Sequence, residues 1–167
     1  GVSGLKLKLG YMSSDAVQSA QALLIQEQLK EVGVTVELAG GDGTAIANAM
    51  KDPDNEYDMY LGGYIMGIDP DTFSSLFEND GAYNYMHYSG YDTIDQLFEE
   101  GRSELDESAR KETYAKLQAA VQDTGAFYPI ISNNKILVVN NRIQGVEDAG
   151  LVPVYTFEDT SSLKIAE

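Results

Sequence analysis

The sequence predicts an α/β fold, a βαβαβ core flanked by helices. Three observations carry that reading. Apolar residues alternate over residues 5–9 and again over 34–38, as expected of strands with one buried face. Between the two runs, Ala22, Ile25, Leu29 and Val32 follow a helical period. A helical connection of this length suits a right-handed crossover between parallel strands rather than a hairpin.

Each element follows in order. Leu5, Leu7 and Leu9 alternate with Lys6 and Lys8, whereas a strand buried on both faces would not alternate so cleanly. Ser13, Ser14 and Asp15 offer capping oxygens to a helix of about 15 residues, which Gly33 ends. Val34, Val36 and Leu38 form the second strand. After Gly40-Gly41-Asp42-Gly43 comes a short helix with Ile46 and Met50, broken by Asp52-Pro53-Asp54, and residues 57–61 are the third strand. From Gly62 to Gly90 the chain reads as loop-rich. Two helical patterns follow, one through Ile94, Leu97, Phe98, Gly101 and Leu105, the other through Tyr114, Leu117 and Val121, with Asp92 and Asp106 as N-caps. Residues 127–131 and 136–139 read as short strands, the first containing Pro129 and so expected at an edge or sheet end. From Asn140 turn residues predominate and an irregular tail is expected.

Composition narrows the function. The 167 residues, 43% of them hydrophobic, are one domain's worth of chain. Acidic residues outnumber Lys plus Arg 27 to 11, a net charge of -16 that would repel a nucleic-acid backbone. The chain has no cysteine, which excludes disulfides, a thiolate metal site and a cysteine nucleophile. No apolar run is long enough for a membrane span. Gly1-Val2-Ser3-Gly4 reads as a lead-in at a processing boundary, so the chain is expected to be a piece of a longer protein.

Catalytic patterns lack parts. His87 is the single histidine and no Ser lies in a G-x-S-x-G elbow, so His87 reads as a polar loop residue. Residues 52–56 begin like a calcium loop but place Tyr57 where the sharp turn needs Gly. Gly40-Gly41-Asp42-Gly43 has neither phosphate-loop spacing nor a Lys, and reads as a turn and helix start. Asp69-Pro70-Asp71 has the spacing of a metal-holding D-x-D, yet Asp at N-cap, Pro at N1 and Asp in the first turn describe a helix N-terminus. The eight acids between positions 92 and 112 form a solvated helix face. Seven of the eleven tyrosines fall between Tyr57 and Tyr91; a recognition surface and a tyrosine-packed loop layer both account for them.

The topology assigns a location. Ligands of parallel α/β sheets collect at the carboxyl ends of the strands. Here that edge brings Tyr11, Met12, Ser13, Tyr64, Met66 and Asp69, a set able to hold a ligand but without an acid, base and nucleophile to transform one. No catalytic residue, metal or cofactor is expected.

The order of segments then resembles a known family. Residues 23–38 (LLIQEQLKEVGVTVEL), 57–64 (YDMYLGGY) with Asp69-Pro70-Asp71, 89–97 (SGYDTIDQL), 106–114 (DESARKETY), 127–130 (FYPI) and 141–145 (NRIQG) are similar, in this order, to passages of family 5 extracytoplasmic solute-binding proteins, the peptide and nickel class of ABC importers. The resemblance covers their C-terminal lobe. It implies a periplasmic-binding-protein-like clamp in which residues 1–135 form an α/β lobe with a mixed sheet and 136–167 return toward an N-terminal lobe outside this chain. It further implies a peptide-like or other small solute, an ABC permease as partner, and an extracytoplasmic place, either periplasmic or as a cell-surface lipoprotein. In peptide-binding relatives an Asp three positions after the aromatic of the second segment pairs with the peptide ammonium. Here the aromatic is Tyr64 and that position is Gly67, with Asp69 two residues on. Two other readings stand beside this one: a small carboxylate-dependent hydrolase or transferase using Asp69 and Asp71, and a protein-interaction module using the tyrosine-rich loop.

Overall fold

In a computed structural model, which describes residues 4–65, 67–87, 91–134, 136–152 and 156–166, the chain divides into two units. One comprises Gly1–Tyr64 with Tyr85–His87, the other Ile65–Asn84 with Tyr88–Glu167.

The first unit is the expected βαβαβ core. Its elements are β1 (Lys6–Met12), α1 (Ala16–Glu31), β2 (Thr35–Gly41), α2 (Gly43–Met50) and β3 (Met59–Tyr60). The sheet order is β2-β1-β3, both pairs are parallel, and Leu9 stands opposite Leu38 on one side and Met59 on the other. Leu9, Ala22, Val36 and Leu61 are buried together, with Ile25, Leu29, Val34 and Leu38 packed around them. Period and burial agree here because one face of β1 and β2 lies under one stripe of α1. The opposite face of β1 carries Lys8, whose ammonium pairs with Glu56 at 2.8 Å and Glu37 at 3.7 Å.

Local chemistry fixes the helix ends. Asp15 caps α1 by accepting from the N–H groups of Val17 and Gln18, and Asp42 caps α2 through Thr44 and Ala45. Gly33, at φ +84°, closes α1 with two reversed bonds, Gly33 N–H to Lys30 O and Val34 N–H to Leu29 O. Only a residue without Cβ adopts that turn without strain. Val32 precedes it and is 74% exposed, so it falls outside the buried stripe that spacing had assigned to it. The third strand is shorter than the expected 57–61, because the Asp58 carboxylate, not a backbone carbonyl, accepts from Lys8 N–H at 2.7 Å.

The second unit begins with a 3₁₀ turn (Pro70–Phe73) and α3 (Ser74–Phe77), inside the loop-rich stretch and starting at Asp69-Pro70-Asp71, which the sequence reads as a helix N-terminus. It continues with α4 (Asp92–Ser103) and α5 (Glu107–Asp123), which pack against each other and bury Ile94, Leu97, Phe98, Tyr114 and Leu117. Asp106 caps α5 as expected, but α4 starts one residue earlier than predicted: Tyr91 is its cap and Asp92 its first residue, a carboxylate in the positive first turn. Leu105 lies between the helices and is 97% exposed, so the α4 pattern stops before it.

The tail reverses the sequence reading. Among the described residues neither 127–131 nor 136–139 forms a strand. Instead, the region expected to be irregular contains β4 (Ile143–Gln144), β5 (Leu151–Val152), β6 (Thr156–Phe157) and β7 (Lys164–Ile165), paired antiparallel as β4-β7 and β5-β6. Two-residue ladders carry no period, so turn chemistry makes them and hydrophobic alternation does not announce them. Gly145, at φ +78°, is one such turn; a Cβ there would run into the Ser162 carbonyl oxygen.

Candidate functional site

The carboxyl ends of β1 and β2 are tied together. Ser13 donates to the Gly41 carbonyl twice, from its N–H at 3.0 Å and its Oγ at 3.2 Å. Gln18, buried one turn into α1, accepts from Met12 N–H at 2.9 Å. Tyr11 lies across Gly40: a Cβ there would come within 2.8 Å of the tyrosine ring and hydroxyl. Met12 approaches Gly43 in the same way, its sulfur 3.0 Å from where a Cβ would sit. Gly40 and Gly43 are therefore spent on close approach of Tyr11 and Met12, and Gly41 on that of Ile46, not on a phosphate.

The electrostatics of this edge point the same way. Both helix N-termini that reach it, those of α1 and α2, have two N–H groups each taken by the carboxylates of Asp15 and Asp42. A site prepared for an anion would leave those donors open. What remains is a half-buried Tyr11 and Met12 and an exposed Ser13. Tyr64, 37% exposed, follows β3 in the same unit. His87 is exposed and donates from Nε2 to the Met50 carbonyl at 2.7 Å, holding the end of α2.

The other two predicted site residues belong to the second unit. Met66 lies outside the described residues. Asp69 caps the 3₁₀ turn, accepting from Asp71 N–H at 2.8 Å, and also accepts from the Arg110 guanidinium at 2.8 and 3.0 Å. That backbone bond and the neighbouring guanidinium hold its carboxyl below the ordinary value. Asp71 is matched in turn, accepting from Arg102 Nε at 2.8 Å. Neither acid is left as a free base, and no cluster of His, Asp or Glu among the described residues has metal-ligand geometry. Gly67 is the position where peptide-binding relatives were expected to carry an acid; a Cβ there would fall 2.8 Å from the Thr72 methyl, so no side chain enters unless Thr72 moves.

Sequence reasoning missed Gln18, Arg102 and Arg110. Gln18 could have been found as a polar residue on the buried stripe of an amphipathic helix. The arginines could not, since Arg110 and Asp69 are separated by 41 positions and no local pattern joins them.

Residues 2–85 match the family described as bacterial extracellular solute-binding proteins, family 5 Middle. In structure, the ABC transporter substrate binding protein CtaP of Listeria monocytogenes is 39% identical and covers 97% of this chain with a TM-score of 0.86. AppA of Clostridium difficile is 31% identical and covers 99% with a TM-score of 0.85. The peptide transport periplasmic protein SapA of Haemophilus influenzae is 25% identical over 86% of this chain. The chain spans 33% of CtaP, 34% of that AppA and 27% of SapA. With a family match across half its length, and with the α/β fold that the segment order implied, this chain belongs to the family 5 bacterial extracellular solute-binding proteins.

Proposed function

We propose that this chain is the ligand-binding lobe of an ABC-importer solute-binding protein, which captures a peptide-like or other small solute outside the cytoplasm and delivers it to a permease. The observation that carries this reading is the carboxyl edge of β2-β1-β3. It presents an aromatic ring, a thioether and hydroxyls, while its helix N-termini are already capped by carboxylates. Such an edge makes contact with a solute without performing chemistry on it. Tyr11, Met12, Ser13 and Tyr64 of the first unit supply this contact.

The similarity to SapA, a peptide transport periplasmic protein, supports a peptide as the solute class and the periplasm as its compartment. The departure at Gly67 bears on how a peptide would be anchored. With Asp69 already paired to Arg110, its carboxylate meets a ligand ammonium as a shared partner, not as a free acid. Closure requires a second lobe, N-terminal to this one, and residues 136–167 are its point of return. Ile136 and Val138 are 84% and 90% exposed, which an opposing lobe would cover.

Mass spectrometry of the solute that co-purifies with the two-lobed protein tests the assignment. A short peptide or other small polar solute in stoichiometric amount is expected. A chain that instead purifies in a stable complex with another protein and holds no small solute would favour the interaction-module reading.

A further inference from the structure

Within the second unit, the stretch 69–79 is attached to α4 and α5 by three sets of charged or amide bonds. Arg110 of α5 grips both carboxylate oxygens of Asp69. Arg102 of α4 spans Asp71 and Glu78, donating to each from a different nitrogen. Asp95 of α4 accepts from Asn79 twice, at 2.9 Å from the backbone N–H and 2.8 Å from the side-chain amide. The stretch itself contains only two four-residue helical turns, too short to persist without outside support. Its order is imposed by those attachments together with Phe77, which is buried and meets the Phe127 ring edge-on at 5.3 Å.

The arginines are themselves held. Arg110 donates from Nε to the Gly101 carbonyl at 2.8 Å and lies 4.9 Å over the Tyr114 ring. Tyr114 is buried against Gly101, where a Cβ would come within 2.8 Å of its ring. Arg102 lies 5.8 Å over the ring of Phe98, which is fully buried. A guanidinium fixed on one face by an aromatic ring presents its remaining N–H groups in one direction, which an ammonium on a flexible stem does not do. The route from the helix core to the loop is thus continuous: Gly101 seats Tyr114, Tyr114 seats Arg110, and Arg110 seats Asp69.

We propose that Arg102 and Arg110 are positioning residues for solute binding, fixing residues 69–79 on the α4–α5 hairpin so that Asp69 is presented at a single place. The proposal rests on the solute-binding reading above. It assigns Asp69 a shared role, with its charge balanced inside the protein, and makes the two arginines determinants of affinity although neither is assigned to the solute itself.

Hydrogen exchange in this chain separates positioning from general stability. In Arg110→Gln, the amides of Asp71, Thr72 and Glu78 are expected to exchange about tenfold faster, while those of β1 keep their wild-type rates. Asp69→Asn should reproduce the effect if Arg110→Gln fails to fold, and Arg110→Lys should restore part of the protection, since it keeps the charge but loses the fork. Unchanged exchange in 69–79, or equal acceleration there and in β1, would overturn the proposal. A second readout uses tri-alanine titrated into the two-lobed protein: Arg110→Gln should weaken binding about tenfold without lowering the thermal midpoint of the first unit. Affinity equal to wild type would overturn the positioning role even if exchange changed. If the wild-type protein does not bind tri-alanine, the peptide assignment fails, and the exchange result still decides whether the arginines hold the segment.

Discussion

The paired strands β1 and β2 and the stretch 127–138 carry similar apolar densities but end in opposite environments. In β1 and β2 the alternation ends in burial, with Leu9 and Val36 1% and 4% exposed. In 127–138, by contrast, Phe127, Tyr128, Ile130, Ile131, Ile136, Leu137 and Val138 are each at least 37% exposed, and no strand forms among the described residues. The difference teaches that apolar patterning reports a surface that needs cover, not that the cover lies in the same chain. In β1 and β2 the cover is α1, which is contiguous in sequence. For 127–138, the proposed function puts the cover in a second lobe.

That contrast can be broken by substitution. Leu9→Ala removes a fully buried side chain at the centre of the sheet and is expected to cost about 2–5 kcal/mol, read from the urea midpoint of this chain. Gly145→Ala forces a Cβ into a left-handed turn and against the Ser162 carbonyl, so roughly 2 kcal/mol is expected, with loss of β4-β7 pairing visible by NMR. Asp15→Ala leaves the N–H groups of Val17 and Gln18 without their cap and should cost about 1 kcal/mol in the same denaturation assay.

Acid sharpens the comparison within the second unit. The carboxyl of Asp69 is held below its ordinary value of 3.8, first by the Asp71 backbone N–H and then by Arg110. A carboxyl depressed on folding binds fewer protons in the native state than in the unfolded one, so its contribution is present above 3.8 and is lost as pH falls through the lower, folded value. The urea midpoint should therefore fall with acid over that window, and Asp69→Asn should flatten the fall. The smallest effect belongs to the tail: Val138→Ser should change the stability of this chain by no more than about 0.5 kcal/mol. A large loss there would mean that the stretch is covered within this chain after all.

How much was legible follows from the range of each interaction. Asp15, Asp42 and Asp106 are caps that act within three residues, and the sequence shows them. Tyr11, Met12 and Ser13 could be placed at a strand end because the crossover fixes strand direction. Asp92 was misplaced by one position, since Tyr91 caps α4 through backbone geometry alone and makes no side-chain cap bond. Asp69 was legible as a helix-starting residue, but its bond to Arg110 was not, because the partner sits on a helix distant in sequence. The strands expected at 127–131 and 136–139 failed for a different reason. Their apolar runs, residues 127–131 and 136–139, find no strand partner among the described residues.

The central claim is that the solute is held between this lobe and another. Isothermal titration calorimetry with short peptides, run in parallel on this chain and on the two-lobed protein, tests it most directly. The account predicts saturable binding by the two-lobed protein and little or no heat from the chain alone, since a lobe that encloses only one side of a ligand leaves much of it in water. Tight, saturable binding by the isolated chain would contradict it.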